Sequence, residues 1–204
     1  MRTLRSTTFV SLDGVLQAPG GPEEDPRGGF VLGGWTVPFF DEHVGEVMGR
    51  FMEPPFDLVL GRRTYDIFAG YWPQASGEEG AGPINAATKY VASRGRPQLS
   101  WRNSYLLEDD IASAVTDLKA GEGPELQVHG SGDLLQTLLR HGLVDDMQVL
   151  VFPVVLGSGQ RLFTDGAAPR SLRLLKSSTS ASGVVISQYA VDGEVRTGSF
   201  GPEA

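Results

Sequence analysis

Leu126-Gln-Val-His129-Gly130-Ser131-Gly132-Asp133-Leu134 passes from an apolar run into two glycines and then into a helix. The helix is legible from Leu134, Leu135, Leu138 and Leu139, which recur at helical spacing, and from Gly142 as its stop. A strand that ends in glycines at a helix N-terminus lets phosphates approach backbone amides whose unpaired hydrogens favour an anion. The same residues also read as a Gly-rich turn with Ser131 as N-cap, and both readings stand at this point. The G-x-G-x-x-G fingerprint is not met, because Leu135 occupies the place of the third glycine.

Upstream, Asp57-Leu-Val-Leu-Gly61-Arg62-Arg63-Thr64 repeats the arrangement: a short buried strand ends at Gly61, and a helix opens over Thr64 to Phe68. The Gly61 to Thr64 amides and the Thr64 hydroxyl suit a phosphate, and the two guanidinium groups add fork-shaped charge. Taken alone, an adjacent arginine pair is more often a solvated surface feature, a reading that the strand-turn-helix context weakens.

Working outward, residues 7–16 begin as a strand and break at Asp13-Gly14. Residues 18–34 are rich in Gly and Pro and read as a mobile loop. From Phe40 the positions Val44, Val47, Met48 and Phe51 predict a helix with Asp41 and Glu42 in its first turn. The 74–83 stretch reads as a polar excursion, Lys89–Ser93 as a strand, and Ile111, Ala114, Val115 and Leu118 as a helical stripe behind the caps Asp109-Asp110. Met147–Val155 reads as a long buried strand, and Leu172–Leu175 with Val184–Val191 as an antiparallel hairpin. Alternating strands and helices imply an α/β fold with a mainly parallel sheet covered on both faces. Ligands of such sheets sit beyond the carboxyl ends of the strands.

The 204 residues, 40% of them hydrophobic and 21% charged, suffice for one well-cored domain. The absence of cysteine removes disulfides, thiolate metal sites and cysteine nucleophiles together, and fits a reducing cytosol. The N-terminus lacks the apolar run of a signal peptide, and no stretch approaches a membrane span. A formal charge of −8, with 17 Lys/Arg against 25 Asp/Glu, argues against general nucleic-acid binding. A small anionic ligand needs only a local cluster such as Arg62-Arg63.

Ser131 and Ser158 each stand between glycines, but neither has the G-x-S-x-G spacing of a hydrolase elbow. His43, His129 and His141 are too scattered for a metal cluster and read as structural or surface residues. Carboxylates are then the candidate proton handlers: Asp13 at the end of the first strand and Asp41 at the border of an apolar helix face, where a carboxyl pKa can be raised. Their plainer readings are a turn former and a first-turn acid.

Taken in order, Ser11-Leu-Asp13-Gly14, Gly61-Arg-Arg-Thr64-Tyr-Asp-Ile-Phe68, Val128-His-Gly130-Ser-Gly132-Asp-Leu134, Val144-Asp145-Asp146 and Pro153-Val-Val-Leu-Gly157-Ser-Gly159-Gln-Arg-Leu-Phe163 resemble the RibD C-terminal reductase family. The resemblance spans about Leu4 to Val191 and extends at one remove to dihydrofolate reductase. It implies a single-domain dihydrofolate-reductase-like fold over residues 1–192, followed by a 193–204 tail. The fold would have a mostly parallel eight-stranded sheet, flanking helices, a C-terminal antiparallel hairpin, NADPH across the strand ends and a homodimer. Carried over by position, Arg62 and Arg63 contact the 2′-phosphate or adenosine side and Thr64 the pyrophosphate. Ser93 and Arg94 hold the adenine and its phosphate. Gly130, Ser131, Gly132, Asp133 and Leu134 form the second pyrophosphate loop, and the backbones of Phe9 and Leu16 border the nicotinamide.

The pattern departs from its relatives on the substrate side. Asp41 stands six residues after Trp35 where dihydrofolate reductase has its acid at five, and Ala87 falls near the place of the folate-clamping arginine. Where riboflavin-pathway enzymes grip a ribose phosphate with basic residues, this chain reads Asp41-Glu42-His43-Val44. The expected reaction is cytoplasmic hydride transfer from NADPH to a C=N or C=O bond of a small pterin-like or pyrimidine-like molecule. Asp41 or Asp13 would aid protonation, and the 18–34 loop would close the site. The alternative is a non-catalytic NADPH-binding or ligand-sensing module.

Overall fold

Phe56 to Leu60 are five consecutive buried residues, the mark of a strand covered on both faces, and they lie inside an eight-stranded sheet. The computed structural model describes residues 1–75, 80–108 and 110–201. Its strands are β1 (Leu4–Ser11), β2 (Phe56–Gly61), β3 (Lys89–Ala92), β4 (Ser104–Leu107), β5 (Glu125–His129), β6 (Asp146–Phe152), β7 (Leu172–Thr179) and β8 (Val185–Val191). Its helices are α1 (Glu42–Phe51), α2 (Arg62–Tyr71), α3 (Ala81–Ala86), α4 (Ile111–Ala120) and α5 (Gly132–Arg140).

The strand order is β4-β3-β2-β5-β1-β6-β8-β7. All pairings from β4 to β6 are parallel, and β8 joins β6 and β7 antiparallel. The chain leaves β1, builds β2, β3 and β4 outward, and returns to insert β5 between β2 and β1. The exits of β5 and β2 are therefore neighbours, although a long stretch of chain separates them. The C-terminal strand β7 is an exposed edge carrying Arg173 and Lys176, and it shifts register between Leu174 and Lys176, both features that discourage edge pairing.

Helix α5 buries Leu134, Leu135, Leu138 and Leu139 against Val128, Val144 and Met147, as its periodicity predicts. Fully burying a leucine contributes roughly 1.5–3 kcal/mol, so this stripe is a principal anchor of the helix. Helix α1 buries Val44, Met48 and Phe51, and Val44 and Met48 pack with Trp35, Leu150 and Phe152. A third cluster joins Tyr65 of α2 to Ile84 of α3 and to Trp101, whose amide donates to the Tyr65 hydroxyl at 2.9 Å.

Two elements depart from the sequence expectation. Helix α3 falls partly where a polar excursion is expected, and β4 has no counterpart in the periodicity. Of the paired caps, Asp110 accepts from the Ser113 amide at 3.0 Å, while Asp109, like residues 76–79 of the excursion and 202–204 of the tail, lies outside the described residues. Among the described residues, no helix is long and apolar enough to cross a membrane, and no group of three or more His, Asp or Glu is arranged to hold a metal.

Candidate functional site

The parallel strands β1, β2, β3 and β5 open at their carboxyl ends onto one cavity of about 1860 Å³. Single-ligand pockets commonly measure about 300–1,000 Å³, so there is room for a long cofactor and a second molecule. All of Phe9, Leu16, Gly61, Arg62, Arg63, Thr64, Ser93, Arg94, Gly130, Ser131, Gly132, Asp133 and Leu134 lie on its wall.

The two strand-to-helix turns are tied to one another. The Ser131 hydroxyl oxygen accepts from the Gly61 amide at 3.0 Å and donates to the Thr64 hydroxyl at 2.9 Å. Gly130 and Ser131 adopt left-handed φ values of 53° and 46°, which turns the chain into α5. Ser131 does hold the N-cap position, but its side chain makes no capping bond, and Gly61 before α2 has no side chain to offer. Two helix N-termini therefore face the cavity without side-chain caps, and their partial positive charge favours an anion there.

The arginine pair is not simply solvated. Arg62 bridges to Asp66 one turn on at 2.7 Å, and Arg63 reaches Asp25 at 3.2 Å. Asp25 is buried in the 18–34 loop and also holds Arg27 at 2.7 Å, and the Arg27 hydrogen bond keeps its carboxyl below the usual range. At the end of β3, Ser93 and Arg94 extend the polar wall.

The 18–34 segment is anchored along its length rather than loose. The Gln17 side-chain amide donates to the Asp25 and Arg27 carbonyls at 2.9 and 3.0 Å and accepts from the Gln160 amide at 2.9 Å. The Trp35 indole donates to the Gln17 carbonyl at 2.8 Å. Gly33 packs so closely on Gly21 and Pro22 that a Cβ there would lie 2.4 Å from the Gly21 carbonyl oxygen. Sequence reasoning missed Gln17, because its role depends on partners far along the chain.

Both carboxylates expected to handle protons are held by donors of the chain itself. The Asp13 carboxylate accepts from the Leu156 and Gly157 amides, each at 3.0 Å, from the Ser11 hydroxyl at 2.7 Å, and from Arg161 at 3.2 Å. Asp41 caps α1 through the Val44 amide at 3.0 Å and accepts from the Ser182 amide at 2.9 Å. These donors stabilise the ionised forms and hold both carboxyls below the ordinary range, for Asp41 opposite to the direction its place on the helix border suggests. Neither lies on the cavity wall. Beside the local donors Ser11 and Val44, each carboxylate accepts from an amide more than 140 positions away, a contact that local reading does not reach.

The other end of the cavity is aromatic and apolar. Phe9 packs edge-on to Phe40 at 6.4 Å, Phe68 to Trp72 at 6.1 Å, and Met48 and Met52 complete the wall. The basic side chains of the cavity come from the 18–34 loop, the start of α2, the end of β3 and Arg161, and none comes from α1. His129 also lines this space, buried between Phe51 and Phe68 at 5.2 and 6.2 Å, and burial pushes its imidazole down to about 4.

The RibD C-terminal domain model matches residues 2–186. The chain belongs to the RibD C-terminal domain family. Two Bacillus subtilis (strain 168) proteins are similar over most of their lengths. Uncharacterized protein YyaP is 26% identical over 188 residues, covering 90% of this chain and 92% of its own. Uncharacterized protein YwjB is 24% identical over 168 residues, covering 81% and 84%. Among solved structures, a putative riboflavin biosynthesis protein from Shewanella sp. PV-4 superposes with a TM-score of 0.67 at 21% identity, covering 93% of this chain and 99% of that one. A pyrimidine reductase-like protein from Corynebacterium diphtheriae gives 0.62 at 14%, covering 95% and 93%. These likenesses establish the RibD C-terminal, dihydrofolate-reductase-like fold for this chain.

Proposed function

We propose that this RibD C-terminal family member is an NADPH-dependent reductase that transfers hydride to a C=N or C=O bond of a small, uncharged, flat heterocycle. The observation that carries the reading is the pair of uncapped helix N-termini locked together by Ser131, with Arg62, Arg63 and Arg94 along the same wall. Those residues suit a phosphorylated dinucleotide. Gly130 to Leu134 and Gly61 to Thr64 would hold the pyrophosphate, and Arg62, Arg63, Ser93 and Arg94 the adenosine end with its extra phosphate. Phe9 and Leu16 would border the reacting ring.

Bound there, NADPH supplies the hydride. The chain's own contribution is to bind, to orient and to exclude water. The Leu16 side chain packs onto the second turn so closely that a Cβ at Gly132 would meet it at 3.0 Å, which joins the 16–34 segment to the pyrophosphate loop. The apolar end formed by Phe9, Phe40, Met48, Met52, Phe68 and Trp72 fits a flat ring and offers no cation to a phosphate group. This agrees with the sequence argument against a ribose-phosphate substrate.

One observation favours the second reading, a non-catalytic NADPH-binding module: both candidate acids are fixed away from the cavity. NADPH oxidation followed by stopped flow across pterins, pyrimidines and quinones separates the two. Turnover with any acceptor supports the reductase, and tight NADPH binding without turnover supports the module. Absence of NADPH binding contradicts both.

A further inference from the structure

His129 ends β5 inside the cavity, and the residue two positions before it fixes its protonation pattern. The Gln127 side-chain nitrogen donates to the Phe51 carbonyl at 2.7 Å and to Glu125 Oε1 at 3.1 Å. Both partners are acceptors, so the amide can be oriented only one way, with its oxygen toward His129. That oxygen lies 3.1 Å from His129 Nε2 and can only accept, so Nε2 carries the hydrogen. A neutral imidazole has one N–H, which leaves Nδ1 as a bare acceptor. Burial between two phenylalanine rings keeps the imidazole neutral, with its pKa pushed down to about 4.

Nδ1 has no hydrogen-bond partner among the described residues, and it is not one of the polar atoms sealed from solvent without one. Thr7 pairs in register with His129 on the adjacent strand β1, lines the same cavity, and has a buried hydroxyl without a partner among the described residues. Nδ1 therefore presents a bare acceptor to the cavity, which a phenylalanine at this position would not. On the cavity wall the imidazole stands beside the Phe68 ring and in register with Thr7.

We infer that His129 contacts the substrate directly, accepting a hydrogen bond on Nδ1 from a ring N–H, and that Gln127 is the positioning residue that holds this tautomer. The pocket then selects heterocycles that carry a ring N–H donor and rejects N-methylated forms and quinones, which offer none. The inference rests on reading this end of the cavity as the substrate site of a reductase.

The test uses the full chain with two readouts. The first is nitrogen NMR of histidine-labelled protein, which reports the tautomer without any substrate. The Nε2–H form is expected for His129, and the Nδ1–H form overturns the inference. The second adds uracil-type and pterin-type lactams, each beside its N-methylated twin, and a quinone. Binding is followed by His129 resonances with and without NADP⁺, and turnover by NADPH oxidation. N-methylation is expected to weaken binding or raise KM roughly 100-fold or more, since a site built around a substrate N–H rejects the analogue that lacks it.

In His129→Phe the difference between twins should vanish, while NADPH affinity reports that the fold is kept. Gln127→Leu should reduce the difference by freeing the ring to change tautomer. Equal use of both twins, turnover of the quinone alone, or unmoved His129 resonances with every N–H lactam overturns the inference. Loss of NADPH binding in the unmodified protein contradicts the reductase reading instead, and the cofactor-free NMR arm still decides the role of His129.

Discussion

Ser131 accepts the backbone hydrogen of Gly61 at 3.0 Å, so one side chain at the exit of β5 fixes the exit of β2. Its hydroxyl hydrogen goes on to Thr64 at 2.9 Å, and the starts of α5 and α2 are thereby held as one surface. Replacing Ser131 by Ala leaves the Gly61 amide without this acceptor in a partly buried place. A loss of about 1–3 kcal/mol is expected in chemical denaturation, accompanied by weaker NADPH binding. An unchanged denaturation midpoint and affinity would show that the two turns are held by other contacts.

Gly33→Ala tests the anchoring of the 18–34 segment. A Cβ at Gly33 would lie 2.4 Å from the Gly21 carbonyl oxygen and 2.7 Å from that of Pro22, both backbone atoms, whereas a Cβ at Gly21 meets nothing within 4 Å. Gly33→Ala should cost about 1–3 kcal/mol by overpacking and open the segment to limited proteolysis. Gly21→Ala should stay within about 0.5 kcal/mol of the parent. Equal behaviour of the two variants in thermal melts and protease digestion would count against an anchored segment.

Asp41→Asn should retain turnover. Asn caps helices about as well as Asp, so the bond from Val44 survives, but the Asn amide nitrogen cannot accept from the Ser182 amide, and a lower denaturation midpoint is expected alongside unchanged kcat. A loss of kcat of two orders of magnitude or more with an intact fold would restore Asp41 as a proton handler, against its present geometry.

The His129 imidazole makes stability depend on pH in a defined window. Its folded pKa of about 4 lies below the ordinary 6.5, so between those values the unfolded chain binds a proton that the folded chain does not. Stability is full above pH 6.5 and falls as pH drops toward 4, by about 3 kcal/mol once both states are protonated. His129→Phe should remove this slope in denaturation curves measured across the window. Parallel curves for the parent and the variant would show that the imidazole is not held neutral.

The extent to which the sequence disclosed this molecule follows from the range of the forces involved. Leu134, Leu135, Leu138 and Leu139 announce α5 because amphipathic periodicity is local, and Leu58 to Leu60 announce β2 because a doubly covered strand carries consecutive apolar residues. The edge strand β4 has only four residues, none of them fully buried, so it carries no such signal. Helix α3 contains Gly82 and Pro83 and rests on Ile84 in the core, so tertiary packing overrides its poor local propensity. At the site, the glycine turns and the arginine pair are legible because strand-end amides and their neighbours are contiguous. The roles of Asp13, Asp41 and Gln17 depend in part on amides more than 140 positions away, and that of His129 on the orientation of a neighbouring amide, which periodicity does not encode.

The central claim is that the joined helix starts and their arginines grip a dinucleotide carrying an extra phosphate. Isothermal calorimetry of NADPH and NADH against the parent protein and the Arg62→Ala/Arg63→Ala variant tests it most directly. The account predicts that the parent prefers NADPH and that the variant loses roughly 10–100-fold of NADPH affinity, the range of one or two charged hydrogen bonds, while NADH binding is little changed. Equal affinity of the parent for the two dinucleotides, or NADPH binding undiminished in the variant, would contradict it.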